Sequence, residues 1–150
     1  MSAVESTFLK RSMTPTPTTK VPYIIVDNFP QLGLLTSLRF LEWVNENPEG
    51  VISLPTGKTP EYFIKWTKHL LNKWNDKSLE KLRKENGFSI YKKPDLYGLQ
   101  FVQIDEFYPI DSSQHNSFYH YDQHYYMEGF GMDPQKLSKH LGRYPYSIRG

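Results

Sequence analysis

The alternation of two hydrophobic periods is what most limits the folds open to this chain. Short apolar runs stand at Val21–Val26 (VPYIIV), Val51–Leu54 (VISL) and Gly98–Ile104 (GLQFVQI). Between the first two, Leu34, Leu35, Leu38, Leu41 and Val44 recur at helical spacing from Pro30 to about Asn45, and Asn47-Pro48-Glu49-Gly50 ends the pattern. After the second run, Phe63, Trp66, Leu70 and Trp74 form another stripe. A helix is expected near Asn116–Met127, and Asp133-Pro134 signals one more helical turn. Continuous β-branched runs suit strands buried on both faces, as in parallel sheets. The order strand, helix, strand, helix, strand, helix predicts an α/β fold: a parallel sheet with flanking helices. Ligands of such sheets bind outside the carboxyl ends of the strands.

Composition narrows the class further. The chain has 150 residues, which suits one domain of the ~100–200-residue kind. It has no cysteine, which excludes a disulfide scaffold, a thiolate metal site and a cysteine nucleophile. No run approaches the ~18 apolar residues of a spanning helix, and the N-terminus lacks the apolar core of a secretory signal. A soluble, cytoplasmic protein is expected. A net charge of +2 gives no argument for nucleic acid or membrane as a partner. That mean conceals a segregation: residues 65–93 carry nine Lys/Arg and three Asp/Glu, while residues 94–135 carry seven Asp/Glu and no Lys/Arg. The basic stretch reads as a solvated helical face, and residues 75–97 as a surface excursion. Phe118, Tyr119, Tyr121, Tyr125 and Tyr126 crowd into nine residues. Residues 1–20, rich in Ser, Thr and Pro, read as a flexible leader ahead of a domain over 21–150.

Two segments fall at the ligand edge of the expected sheet. In Leu54-Pro55-Thr56-Gly57-Lys58-Thr59-Pro60, a glycine between hydroxyl residues lets successive N–H groups turn into one concavity. Thr56 and Thr59 add hydroxyls, and Lys58 adds positive charge. The spacing is not that of a Walker loop. An ordinary strand-to-helix turn, with Thr59 as N-cap and Pro60 as first helical residue, fits the same residues equally. The second segment is Ile104-Asp105-Glu106-Phe107. Adjacent carboxylates at a buried strand end are costly to ionise together, which would raise the pKa of one, but a solvated strand end is the preferred reading of these residues taken alone. A carboxyl with such a raised pKa can move a proton to and from carbon beside a carbonyl or imine. Neighbours on an extended strand point oppositely, so one of the two should face the site. His115, His120 and His124, with Asp105 or Asp122, are a weaker metal candidate without H-E-x-x-H support; solvent-facing histidines are the preferred reading. Ser112, Ser113 and Ser117 have no G-x-S-x-G context for a nucleophile.

Taken together and in order, Ser53-Leu54-Pro55-Thr56-Gly57-Lys58-Thr59-Pro60, then Val102-Gln103-Ile104-Asp105-Glu106-Phe107-Tyr108-Pro109-Ile110, then His115-Asn116-Ser117-Phe118 resemble the glucosamine-6-phosphate deaminase/isomerase family, part of a wider group with 6-phosphogluconolactonases. The resemblance covers about residues 51–137. It implies a Rossmann-like, three-layer fold that is incomplete at its C-terminus, and a small phosphorylated sugar as ligand without a cofactor. Thr56, Gly57, Lys58 and Thr59 would line the phosphate pocket, Asp105 would shuttle a proton between C1 and C2 of the open-chain amino sugar, and Glu106 would support the site. Two departures stand out. Lys58 replaces a small residue, and a G-x-D-G-H-I-G-F-N-E-P-like second motif is missing. The closing Tyr144–Gly150 shows no terminating signal, so the chain is expected to be the N-terminal portion of a longer enzyme, or a shortened relative. A lactonase and a non-catalytic sugar-phosphate-binding module remain the alternatives, and a homo-oligomer is left open. The D-E-F-Y-P sequence lacks the arginine that follows D-E in many lactonases, which favours the amino-sugar branch.

Overall fold

The computed structural model describes residues 1–12 and 18–138, so the Thr/Pro-rich stretch 13–17 of the expected leader and the closing segment 139–150 lie outside the described residues. The chain forms two compact units, one from Met1–Glu46 with Pro60–Pro94, the other from Asn47–Thr59 with the chain from Asp95 onward.

The first unit is helical: α1 (Ala3–Arg11), α2 (Phe29–Glu46), α3 (Glu61–Asn72) and α4 (Lys77–Glu85). The apolar set expected on α2 is buried in full, with Leu38 and Leu41 wholly excluded from solvent. Gly33 explains how closely α2 and α3 approach. A Cβ there would stand 2.5 Å from the Tyr62 Cβ and 2.6 Å from its backbone carbon, so any side chain would push the helices apart. Behind this contact the Thr67 hydroxyl donates to Ser37 at 2.9 Å, and Ser37 donates to the Phe63 carbonyl at 3.0 Å. The buried hydroxyls are thus satisfied, as burial requires.

Three sequence expectations change in this unit. Within the segment read as a flexible leader, Ala3–Arg11 is a helix. Ser2 and Glu5 form a reciprocal capping box, with Ser2 N–H to Glu5 at 2.6 Å and Glu5 N–H to Ser2 at 3.1 Å. Val4 and Phe8, one turn apart, are its buried anchors, and Glu5 pairs with Arg39 of α2 at 3.1 Å. Val21–Val26 is not a strand: it runs as irregular backbone, exposed or half-buried, with no ladder partner among the described residues. β-propensity alone does not make a strand without a neighbour to pair with. Thr59 does not cap α3, whose N-cap is Pro60 with no side-chain bond.

The surface excursion expected over 75–97 contains α4, capped by Asp76. Its basic face is solvated in part, with Lys84 pairing Glu80 at 2.6 Å. Arg83 departs from that reading. It is buried, with its guanidinium 3.9 Å from the Trp74 ring centre and Nη2 donating to the Trp74 carbonyl at 2.8 Å.

The second unit holds a parallel sheet of β1 (Val51–Ile52), β2 (Gln100–Val102) and β3 (Leu137–Ser138), in that spatial order. Val51 pairs with Gln100, Phe101 with Leu137. The helix expected near Asn116–Met127 is α5 (Phe118–Asp122), which continues as a π-helical turn over Gln123–Glu128. From that turn the buried ring of Tyr126 stacks on Phe101 of β2, centroids 5.5 Å apart. Asp133 caps a single 3-10 turn, Pro134–Lys136, before β3. The fold is α/β with a parallel sheet, as the hydrophobic pattern predicts, although the strands are shorter than the apolar runs.

Candidate functional site

Parallel pairing of β1 with β2 brings their carboxyl ends side by side, and with them the loop Ser53–Thr59 and the acidic pair Asp105-Glu106. The Ser53 hydroxyl donates to the Val102 carbonyl at 2.7 Å, extending the pairing past the last ladder residues. Beyond this the two segments are shaped by different forces.

The loop turns at Gly57, whose φ of +86° is left-handed and costs a glycine nothing. A Cβ there would meet nothing within 4 Å, so the requirement is conformational and not spatial. Two tyrosines hold the loop from below. Tyr121 donates its hydroxyl to the Gly57 carbonyl at 2.8 Å, and Tyr126 donates to the Pro55 carbonyl. Burial first, then charge on Tyr121 and Asp122, pushes the Tyr126 hydroxyl well above the ordinary tyrosine value, so it stays a donor. Lys58 and Thr59 are exposed, Thr56 half-buried.

The acidic pair divides its duties. Glu106 turns inward and accepts from the Ser117 hydroxyl at 2.6 Å and from the N–H groups of Phe118 and Tyr119 at 3.0 and 3.1 Å. It therefore sits on the unsatisfied donors that open α5, where negative charge is favoured. Burial raises its pKa, but the Ser117 hydroxyl and the N–H groups of Phe118, Tyr119 and Phe107 outweigh it, leaving Glu106 below the ordinary glutamate value. Gln103, buried just past the end of β2, completes the arrangement, its amide donating to the Asp105 carbonyl at 2.9 Å and to Glu106 at 3.2 Å. Asp105 is exposed, and its carboxylate makes no hydrogen bond or ion pair among the described residues.

The raised carboxyl that this pair could have supplied belongs to a third residue. Asp122, on α5, is only 1 % exposed, and its Oδ1 has no hydrogen-bond partner among the described residues. Burial, then the negative charges of Glu106 and Asp105, push it up to about 7. The histidines lie elsewhere in character: His115, His120 and His124 are exposed, and His124 faces Glu128 at 3.3 Å. Among the described residues no three acidic or histidine side chains converge as a metal site.

Sequence reasoning named the loop and the acidic pair of this candidate site but gave no part in it to Gln103, Tyr121, Tyr126 or, beyond the metal reading, Asp122. The signal for three of them was the aromatic crowding at 118–126. The alternation of Gln103 with Leu99 and Phe101 was the signal for the fourth.

A parallel sheet with loops at the carboxyl ends of adjacent strands defines the class as a Rossmann-like α/β fold. Among solved structures the chain is similar to a monomeric glucosamine-6-phosphate deaminase described as a missing link of the NagB superfamily, with a TM-score of 0.59 and 18% identity over 75% of this chain. That likeness establishes the fold. The chain spans 39% of the length of that deaminase. No family model matches the chain, and no curated protein matches it in sequence. No helix among the described residues is long and apolar enough to cross a membrane.

Proposed function

We propose that the protein binds a small phosphorylated sugar in the cytoplasm and carries the proton-transfer half of a glucosamine-6-phosphate deaminase/isomerase site. The observation that carries this reading is the pairing of β1 with β2, which sets a glycine-centred loop beside an uncommitted carboxylate at the ligand edge of a parallel sheet. Thr56, Gly57, Lys58 and Thr59 receive the phosphate through N–H groups, hydroxyls and the lysine charge. Asp105 is the general base, moving a proton from C2 to C1 of the open-chain amino sugar; water then adds to the resulting C2 iminium, the C2–N bond breaks, and the ketose and ammonia leave. Two facts support Asp105 over Glu106: its carboxylate meets no donor among the described residues, and Glu106 is engaged by α5 and supports the site from behind. Nucleic acid and membrane have no part in this reading.

The test is ammonia release from glucosamine 6-phosphate by the intact natural protein. Asp105→Asn should abolish turnover while sparing most of the binding, and undiminished turnover would remove Asp105 from the chemistry. Hydrolysis of 6-phosphogluconolactone without ammonia would assign the lactonase reaction instead. Binding without turnover of either substrate would instead make the protein a sugar-phosphate-binding module.

A further inference from the structure

A glycine-centred loop can present either its N–H groups or its carbonyls to a ligand, and only the first suits an anion. In a planar trans peptide the carbonyl and the following N–H point in opposite directions. The Pro55 carbonyl shares its peptide unit with the Thr56 N–H, and the Gly57 carbonyl shares its unit with the Lys58 N–H. Both carbonyls are held by hydroxyls of one segment, Pro55 by Tyr126 and Gly57 by Tyr121 at 2.8 Å. The Thr56 and Lys58 N–H groups must therefore face away from that segment, and neither has an acceptor among the described residues. The peptide after Gly57 turns about the ψ of Gly57 and the φ of Lys58, and the missing Cβ of glycine leaves that ψ less restricted than at other residues. A flip would replace the Lys58 N–H with a carbonyl oxygen that repels phosphate.

We propose that Tyr121, seconded by Tyr126, is a positioning residue that locks these two peptide units so that the Thr56 and Lys58 N–H groups act as a pair on the phosphate of a phosphorylated sugar. This rests on the sugar-phosphate reading above and names the residues that make the loop receptive. The hydroxyls are themselves well fixed. Tyr126 is buried against Phe101, the Tyr121 ring packs on Tyr125 with centroids 4.4 Å apart, and α5 is anchored at its start by Glu106 and Ser117. The π-helical turn that follows Asp122 places Tyr126 five residues after Tyr121, with both hydroxyls reaching the same loop.

The test uses the intact natural protein, its Tyr121→Phe variant and Tyr125→Phe as control, each titrated calorimetrically with glucosamine 6-phosphate, inorganic phosphate and unphosphorylated glucosamine. Tyr121→Phe should weaken both phosphate ligands about tenfold or more, the scale of one hydrogen-bonded anion contact. It should leave glucosamine unaffected, and Tyr125→Phe should change none of the three. Amide spectra give a second reading. Phosphate should move the Thr56 and Lys58 N–H signals in the wild type, and Tyr121→Phe should shift the Lys58 signal even without ligand. Equal phosphate affinity in wild type and Tyr121→Phe overturns the positioning role and leaves the sugar-phosphate reading standing. A loss shared equally by glucosamine overturns it too, as a general disturbance. A wild type that binds neither phosphate ligand overturns both readings.

Discussion

The contact between α2 and α3 and the segment from Gln103 to Met127 both bury polar groups, in opposite ways. At the helix contact the buried polar groups are the neutral hydroxyls of Ser37 and Thr67, each paired, among leucines packed to exclusion. In the other region a carboxyl, Asp122, is shut away from water beside two further carboxylates, with one oxygen unpaired among the described residues. The first arrangement is what stability alone selects. The second forgoes stability, and natural chains do so mainly where a site needs it. All three tryptophans lie in the helical unit, so tryptophan fluorescence follows the first region, while tyrosine signals report on both units.

The largest effect should come from breaking the packed contact. Leu38→Ala empties a wholly buried site on α2 and should cost up to about 5 kcal/mol, by transfer and cavity terms. Urea unfolding followed by tryptophan fluorescence would read it, and a loss under about 1 kcal/mol would mean that this contact is not the tight core described.

Asp122→Asn should act in the opposite sense. The folded pKa of about 7 lies above the unfolded value of about 3.9, so the folded protein binds the extra proton between them. Stability from this group is therefore full below pH ~4, falls as pH rises towards about 7, and is absent above it. The difference is worth about 4 kcal/mol at most. Asparagine keeps the shape without the charge, so the variant should be more stable than wild type by about 3 kcal/mol at pH 8 and nearly equal to it at pH 4. Melting curves read by tyrosine circular dichroism across that range would check it. A pH-independent difference would remove the buried carboxylate as its cause.

The contrast between the regions also explains what could be read from the sequence. Apolar spacing gave α2 and α3 because one period, repeated over several turns, outweighs local noise. The order of loop and acidic pair was legible because each follows a hydrophobic run with its own chemistry. Val21–Val26 misled because its β-branched residues state a preference that only a neighbouring strand can satisfy. Conversely, β3 at Leu137–Ser138 is two residues long and carries no period to read. Asp122 was hidden for another reason. An aspartate among tyrosines looks solvent-facing, and no local pattern in the sequence signals that Asp122 is buried. The roles of Tyr121 and Tyr126 are non-local, since their partners lie 64 and 71 residues away.

Glu106 offers the smallest and most selective test, since it shares the polar region with Asp122 but has the opposite pH sign. Its folded pKa lies below the ordinary value, so its stabilising effect is present above the unfolded pKa of about 4.3 and is lost as pH falls through the folded one. Glu106→Gln keeps an acceptor for the α5 N–H groups but removes the charge that favours the helix start. The cost should be about 1–2 kcal/mol at pH 7, the range of a lost N-terminal cap or charged hydrogen bond. It should shrink as the wild type is acidified below pH ~4. Removing Glu106's charge also removes one of the charges that raise Asp122, so Asp122 should titrate lower in this variant. Carboxyl NMR of the two proteins would show that displacement, and an unmoved Asp122 signal would separate the two carboxyls that the structure couples.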